Sequence, residues 1–260
     1  MREKWKNFLL GNVAITSLLA LWEFVSGKGL INSSLFPPPS RVLLSLGEMM
    51  MNGVLLLDIA VSFWRVLAGL ASGVLLGISF GVLTGRSKVF SSMVTPLFQI
   101  LRCLPPVAIL PFIILWFGIG DSAKIIAITF SVFFPVWINT AMGIKNISKF
   151  FLWNAQLLHL PQSKLISHVL LPGALPFIIT GVRNGIAMSF IMVFVSELAG
   201  ASAGIGYRIS ITGLAYRIDQ MIAVLFVLGM LGAATDHLFM VGIHRVFPWL
   251  KCIKNGSYSY

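Results

Sequence analysis

The sequence is poor in charged residues and poorest in acidic ones. Charged side chains make up 10% of its 260 residues, and eight aspartates and glutamates stand against 19 lysines and arginines. Because a soluble domain carries about 25% charged residues, this composition argues against a soluble enzyme or binding module. Hydrophobic residues reach 57% and the mean hydropathy is +0.92. These values predict an all-α integral membrane protein.

Motifs for metal, cofactor or nucleotide chemistry are also missing. The sequence has no H-E-x-x-H, P-loop or dinucleotide fingerprint, and Cys103 and Cys252 fit no metal spacing. We therefore expect no catalytic residue, no metal and no cofactor in this chain. The formal charge of +11 would suggest nucleic acid for a soluble protein. Here the cations flank apolar runs, so they indicate topology, and we expect no nucleic-acid partner.

Six apolar stretches are long enough to cross a bilayer, for which a helix needs about 20 residues. They lie near residues 8–27, 64–85, 93–117, 123–143, 177–200 and 220–243. The first has a basic start like a signal peptide, but its long apolar run and missing small-x-small site favour a retained span. The turn Gly118–Lys124 predicts an antiparallel third and fourth span. Residues 1–260 are predicted to form a single transmembrane domain.

Lysines and arginines are unevenly distributed over the predicted loops. With the N-terminus inside, eleven lie on the inner side: Arg2, Lys4, Lys6, Arg86, Lys88, Lys145, Lys149, Lys164, Arg245, Lys251 and Lys254. Six lie on the outer side: Lys28, Arg41, Arg65, Lys124, Arg208 and Arg217. Because cytoplasmic loops carry the positive excess, both termini are predicted to be cytoplasmic, as is the stretch between spans four and five.

Two segments predict local packing. Glycines recur every four residues in the second span, at Gly69, Gly73, Gly77, Gly81 and Gly85, and make a groove that a second helix can approach closely. This groove is either a sliding surface or a site of static tight packing. Residues 35–53 predict a proline-rich turn followed by a short amphipathic helix on the membrane surface.

The stretch 151–176, FLWNAQLLHLPQSKLISHVLLPGALP, interrupts the apolar pattern. Its first part predicts a short apolar helix that ends at Pro161, because proline lacks a backbone donor. A second, amphipathic helix begins at Gln162 and is predicted to stop at Pro172. The apolar first helix must be covered by the membrane surface, by the chain's own spans or by a partner, and the residues alone leave these alternatives open.

Several charged residues lie within predicted spans, where they are functional candidates by default. Arg102 and Arg183 have two interpretations. They provide a cationic lining for an anion, or they form ion pairs with Asp236 or with anionic lipid. Glu197 predicts either a hydrogen bond to the glycine-rich loop after it or a role in the outer gate. Pro105 and Pro106 break the third span, which is therefore expected to border a translocation path.

Segments typical of one protein family occur along almost the whole chain, in the order in which that family has them. The pattern V-L-L-P-G-A-L-P-x-I-x-T-G-x-R occupies residues 169–183. It is accompanied by LFPPPSRV, SFWRVLAG, LRCLPPVAILPFIILWFGIGDSAKI, FFPVWINTAMGIK, SELAGASAGIGY and LGMLGAATD. Together these segments resemble the permease subunits of bacterial ABC importers, in the branch for nitrate, sulfonate, taurine, cyanate and bicarbonate.

The resemblance implies a six-span, type I importer fold in a bacterial inner membrane, with a cytoplasmic coupling helix between spans four and five. The family loop has the form EAA, three residues, Gly; here Trp153–Asn154–Ala155 take the EAA place and His159 the Gly place. The residues implied to contact an ATPase are Phe151, Trp153, Asn154, Ala155, Leu158, His159 and Leu160. The implied partners are two cytoplasmic ATPases that bind ATP and Mg, an external binding protein, a second copy of the permease, and lipid.

Two rival functions remain open. An ion-coupled secondary transporter would use Glu197 or Asp236 as its relay, although six spans with one broken segment are few for such a fold. The sequence GASAG at residues 200–204 also fits the G-x-S-x-G pattern, which would make Ser202 and His237 an intramembrane serine hydrolase pair. That elbow requires a strand before the serine, and no strand is predicted there.

Overall fold

A computed structural model describes residues 2–28 and 32–249 of the chain. Within these ranges every regular element is helical. The α-helices are α1 Arg2–Gly27, α2 Pro39–Met51, α3 Val54–Arg86, α4 Lys88–Cys103, α5 Pro106–Phe117, α6 Asp121–Lys145, α7 Lys149–Leu157, α8 Gln162–Leu165, α9 Leu171–Leu198, α10 Ile205–Leu214 and α11 Ile218–Val246. A π-helical segment, Ile166–Leu170, joins α8 to α9. The all-α prediction is confirmed for these residues.

Four helical stretches of the described chain are long and apolar enough to cross a membrane: α3, α6, Gln162–Leu198 and α11. The pair α4 and α5 makes a fifth if it is counted as one broken span, because these helices are bent by 99°. The break lies at Pro105 and Pro106, where the sequence predicted it. The first predicted span lies within α1, and the count of six spans stays a prediction.

Two predicted boundaries are wrong. The second span was predicted from residue 64, but α3 begins at Val54, because the buried polar residue Asp58 interrupts its apolar pattern without interrupting the helix. The helix from Gln162 was predicted to stop at Pro172, yet it continues to Leu198. The π-helical segment brings the Leu171 N–H to the Ile166 carbonyl, five residues back, so that the chain passes the proline without a break.

The described residues form two compact units. The first comprises Met1–Val61 and Ser202–Gly229, and in it α1 holds the proline-rich turn before α2. The Trp22 indole donates to the Pro37 carbonyl at 3.1 Å, and the Glu23 carboxylate accepts from the Ser40 N–H at 3.0 Å. Glu23 therefore satisfies a donor at the start of α2. The helix predicted within residues 35–53 is present as α2.

A buried carboxylate in the same unit holds the start of α10. The Asp58 side chain is 1% exposed and accepts from the Gly204 N–H at 2.8 Å and from Nε of Arg208 at 2.7 Å. Gly204 has a φ of 126°, which glycine adopts without strain. Asp58 thus pairs with a cation that the sequence had placed among the loop charges.

The second unit, Ser62–Ala201 and Met230–Tyr260, is built around α6, which packs against α9. The glycine groove of α3 also packs on α6. A Cβ at Gly69, Gly73, Gly77, Gly81 or Gly85 would lie 2.5–2.7 Å from the nearest side-chain atom of Ile128, Val132, Val136, Thr140 or Ile144, in that order. The five partners are all β-branched and are also four residues apart. Because every register is filled by a rigid side chain, the geometry favours static packing over sliding.

Candidate functional site

The stretch that interrupts the apolar pattern folds as α7 followed by a tight turn. Ser148 begins the helix by accepting from the Phe150 N–H at 3.4 Å. At the other end, His159 N–H donates to the Gln156 carbonyl at 3.0 Å and Leu160 N–H to the Ala155 carbonyl at 3.1 Å. This pair of bonds is a Schellman motif, which requires a left-handed residue after the helix. His159 supplies it with a φ of 48°.

Most residues predicted to contact an ATPase lie on the outside of α7 and its turn. Phe151, Trp153 and Leu158 are 58%, 60% and 73% exposed, and His159 is also exposed. Asn154 and Leu160 are partly exposed. Ala155 is buried, so its side chain packs inward and supports the helix. Phe150 and Leu157, which the prediction omitted, add to the exposed apolar surface. We call Phe150, Phe151, Trp153, Leu157 and Leu158 the α7 patch.

The left-handed conformation of His159 explains why this residue corresponds to a glycine in the family loop. A left-handed residue costs about 1–2 kcal/mol with a side chain and nothing for glycine. His159→Gly should therefore preserve or strengthen α7, whereas His159→Val should weaken it, because a β-branched side chain tolerates the left-handed region less well than histidine does. Hydrogen exchange of the α7 amides in nanodiscs measures the change. Gln156→Val, at an exposed position within the helix, is the matched control. Equal protection in all three variants would contradict the assignment.

A buried ion cluster in the second unit joins α3, α6 and α9. The Arg65 side chain is 5% exposed; its Nη1 lies 2.7 Å from the Glu197 carboxylate and its Nη2 lies 2.6 Å from the Asp121 carboxylate. Glu197 also accepts from the Ser62 hydroxyl at 2.7 Å. Lys124 Nζ donates to the Ile119 carbonyl at 2.6 Å and to the Gly200 carbonyl at 3.3 Å. The cluster therefore ties the turn before α6 to the loop after α9.

Glu197 takes part in the cluster through its side chain and in the following loop through its backbone. The backbone carbonyl of Glu197 accepts from the Gly200 and Ala201 N–H groups of the following loop, while its carboxylate binds Arg65 and Ser62. Arg65 and Lys124, which were counted with the outer-side cations, are buried within α3 and α6. An arginine in an apolar stretch requires a counter-ion, and this signal would have identified Arg65.

Arg183 forms the ion pair that the sequence offered as one of its alternatives. Its Nε donates to Oδ1 of Asp236 at 2.8 Å and its Nη2 donates to Oδ2 at 2.7 Å. This two-bond geometry is the strong form of an arginine–carboxylate pair. The pair borders a cavity of about 520 Å³ between α9 and α11, which is also lined by Thr180, Asn184 and Ala233. The cationic charge of Arg183 is therefore balanced where it faces this cavity.

Arg102 lies at the bend between α4 and α5. It borders a second cavity, of about 310 Å³, with Pro106, Ser131, Asn139 and Asn184. Its Nη2 donates to the neutral Oε1 of Gln99 at 3.0 Å. Asn184 lines both cavities, so two of the residues predicted for a translocation path, Arg102 and Arg183, border adjoining spaces. Pro105 is the N-cap residue of α5, beside this bend.

Comparison with known proteins gives consistent matches. Residues 73–250 match the family described as the binding-protein-dependent transport system inner membrane component. The chain is 31% identical over 232 residues to the putative aliphatic sulfonates transport permease protein SsuC of Bacillus subtilis, covering 89% of this chain and 84% of that one. It is 30% identical over 245 residues to the taurine transport system permease protein TauC of Escherichia coli, covering 92% and 88%. For the nitrate import permease protein NrtB of Synechocystis sp., identity is 31% over 234 residues, covering 86% and 84%.

Two solved structures share the fold. A chain of an amino acid ABC transporter crystallised with histidines superimposes with a TM-score of 0.62 at 17% identity, covering 77% of this chain and 97% of that one. A chain of the inward-facing MetNI methionine ABC transporter superimposes with a TM-score of 0.54 at 20% identity, covering 76% and 96%. At these identities the likeness concerns the fold.

Proposed function

The chain belongs to the family of binding-protein-dependent transport system inner membrane components, and from this membership we propose that it forms half of the membrane path of an ATP-driven importer for a small oxyanion. As a family member it is a multi-pass permease of the inner membrane, with ATPase and binding-protein partners. We further propose which surfaces contact those partners, how many copies of the chain assemble and which class of solute is carried.

The α7 patch is the observation that carries the proposal. Five large apolar side chains lie on a single short helix and its turn, outside the apolar lengths of α6 and α9 that flank it. Exposed apolar surface of this kind marks an interaction site. Beneath the patch, α7 packs against the π-helical segment that leads into α9. A partner that pushes on α7 would therefore act on α9, which carries Arg183 and Glu197.

Leu158→Asp should uncouple ATP hydrolysis by the ATPase from solute uptake, because it weakens the contact through which the ATPase acts on the permease. Leu158 is 73% exposed, and a carboxylate there would be desolvated inside an apolar interface. The loss of one anchor from such an interface costs at least 2 kcal/mol, so we expect uptake to fall by about tenfold or more. Uptake in cells that also express the ATPase and binding protein, and the amount of ATPase that copurifies with the permease, measure the effect.

Leu214→Asp is the matched control for this experiment. Leu214 is 79% exposed and ends α10, so the same change is made at an equally exposed leucine outside the α7 patch. The ATPase should copurify with this variant as it does with the unmodified chain. If Leu158→Asp retains both the ATPase and full uptake, the α7 patch is not the docking surface.

The α7 patch also determines the proposed assembly. Each chain supplies one α7, and two ATPase subunits acting together require two, so we propose a dimer of identical permeases with two ATPases on the cytoplasmic side. We place both termini in the cytoplasm, because this orientation puts α7 in the same compartment as the ATPases. An external binding protein delivers the solute, and ATP binding shifts the dimer between its outward-open and inward-open states. ATP and Mg bind the ATPases.

The solute is proposed to be a small oxyanion. Relatives that match most of this chain are named for aliphatic sulfonates, taurine and nitrate, and these share a compact, oxygen-bearing anionic group. A cation that borders a membrane-embedded cavity, such as Arg102, is consistent with this class.

The rival functions have less support. A proton or sodium relay needs a carboxylate that can change its charge, yet Glu197 binds Arg65, and Asp236 binds Arg183 through two hydrogen bonds. The serine-hydrolase pattern at residues 200–204 lies in a loop between the helices α9 and α10. It therefore lacks the strand-to-helix turn that exposes a nucleophilic serine.

A further inference from the structure

The two arginines predicted for a translocation path differ in their charge balance. The guanidinium of Arg183 is matched by the Asp236 carboxylate through two hydrogen bonds. The guanidinium of Arg102 binds the uncharged Gln99 side chain, and among the described residues no carboxylate lies within ion-pair distance of it. Arginine keeps its proton in proteins. The cavity at Arg102 therefore has an uncompensated positive charge, and the cavity at Arg183 does not.

The rest of that cavity provides hydrogen-bond donors. Asn184 contributes an amide group to the lining. Asn139 uses one amide hydrogen for the Pro135 carbonyl at 2.8 Å, and its amide nitrogen carries a second one. The lining also includes Pro106, the first residue of α5, and the N-terminal end of a helix favours negative charge. The Arg102 cation and the helix end favour an anion over a neutral solute, and the amides supply hydrogen-bond donors to it.

The size of the cavity suits a small solute. At about 30 Å³ for each water-sized group, a volume of about 310 Å³ accommodates nitrate or a two-carbon sulfonate. Phe134 and Met188 supply an apolar wall, against which the carbon chain of a sulfonate can pack. Asn184 also borders the cavity at Arg183, so a solute that leaves Arg102 enters a space whose arginine is already neutralised.

We propose that the cavity at Arg102 is the subsite that binds the oxyanion group of the solute within the membrane path. Arg102 provides the charge, and Asn184 and Asn139 provide amide donors. Arg183 and Asp236 form a neutral wall of the adjoining space and do not bind the anion. This inference rests on the proposed function and names the site at which its solute class is recognised.

Cys103 is exposed and follows Arg102 in the chain, so a solute bound at the Arg102 side chain should hinder its alkylation, and no partner protein is needed for the measurement. The full-length chain with Cys252→Ser is placed in phosphatidylcholine nanodiscs, and the alkylation rate of Cys103 by N-ethylmaleimide is measured at constant ionic strength. Ethanesulfonate and nitrate are added in separate titrations to distinguish the two oxyanions. At least one should slow alkylation in a saturable manner, and uncharged ethanol should not.

Variants test the assignment of Arg102. Arg102→Gln removes a charged hydrogen-bond donor and should weaken protection of Cys103 by about tenfold or more. Asn184→Leu should also weaken this protection, although it leaves the cation in place. Arg217→Gln removes the same charge from an exposed turn and should leave protection unchanged. Equal protection in Arg102→Gln and the parent chain would overturn the proposal, as would the absence of protection by both anions in the parent chain.

Three further outcomes distinguish the subsite from lipid binding and from failure of the proposed function. If phosphatidylglycerol in the nanodiscs slows alkylation and added ethanesulfonate and nitrate do not, Arg102 binds a lipid phosphate and the subsite is refuted. In cells with the ATPase and binding protein, normal oxyanion uptake by Arg102→Gln refutes the subsite and leaves the importer intact. No uptake by the parent chain refutes the proposed function, while protection of Cys103 still tests the subsite.

Discussion

Replacement of Arg65 by methionine should lower the free energy of unfolding by about 3–5 kcal/mol, the range found when one member of a buried ion pair is removed. Glu197, whose side chain is 0% exposed, would lose its arginine partner while remaining buried. Asp121 suffers less, because its side chain is 59% exposed. Thermal unfolding of the purified chain in a single detergent measures the loss.

The second substitution separates charge imbalance from lost packing. Replacing a whole buried pair by apolar residues is often neutral, so Arg65→Met combined with Glu197→Met should recover most of the lost stability. Arg217→Met removes an exposed arginine and should leave the unfolding temperature close to that of the parent chain. A double variant no more stable than Arg65→Met alone would mean that Arg65 acts through packing and not through its charge.

Gly77→Ala should destabilise the second unit even though alanine is the better helix former. A Cβ at Gly77 would lie 2.7 Å from Cβ of Val136 and 3.0 Å from the Phe133 carbonyl oxygen. Neither atom can move without displacing α6. Overpacking of this kind costs about 1–3 kcal/mol, against a helix-propensity gain of about 0.8–1 kcal/mol. The unfolding temperature should therefore fall, and Gly77→Leu should prevent stable folding.

Gly242→Ala provides the matched control for this effect. Gly242 is a helical glycine of α11, and among the described residues no atom beyond its chain neighbours and its own helix backbone lies within 4 Å of the position its Cβ would take. The same propensity gain then acts without a clash, so the unfolding temperature should stay constant or rise. If Gly77→Ala and Gly242→Ala shift it equally, α3 and α6 do not pack as closely as the structure indicates.

Features that depend on neighbouring residues were predictable from the sequence. Pro105 and Pro106 remove two consecutive backbone donors, so a break in the helix was expected there, and α4 and α5 are bent by 99°. The fold family was also accessible, because its segments recur in order along the chain. The resemblance placed His159 at a glycine position, and the φ of 48° gives the physical reason.

Of the ion pairs between distant residues, the one between Arg183 and Asp236 was among the alternatives that the sequence offered, and the others were not predicted. Arg65 binds Asp121 and Glu197, which are 56 and 132 residues away in the chain, and neither partner was identified from the sequence. Asp58 is held in the same way by Arg208, 150 residues away. Without these partners a buried charge resembles a loop charge, which is why the start of α3 was misplaced.

The glycine groove was recognised from the sequence without its partner helix. The β-branched residues of α6 have the same four-residue spacing, from Ile128 to Ile144, but this pattern is informative only when it is compared with that of α3. A search for pairs of segments with small and β-branched residues at equal spacing would have matched the two helices.

The unbroken length of α9 limits how the permease can move. The helix runs from Leu171 to Leu198 and carries Arg183 and Glu197, whose side chains lie about 21 Å apart along its axis at 1.5 Å per residue. Since an intact helix transmits an axial shift or rotation along its whole length, the contacts with Asp236 and Arg65 cannot be altered independently. A movement that draws one end of α9 away from its counter-ion must therefore strain the ion pair at the other end. Intermediate positions of the helix are then costly, and two discrete end states are favoured.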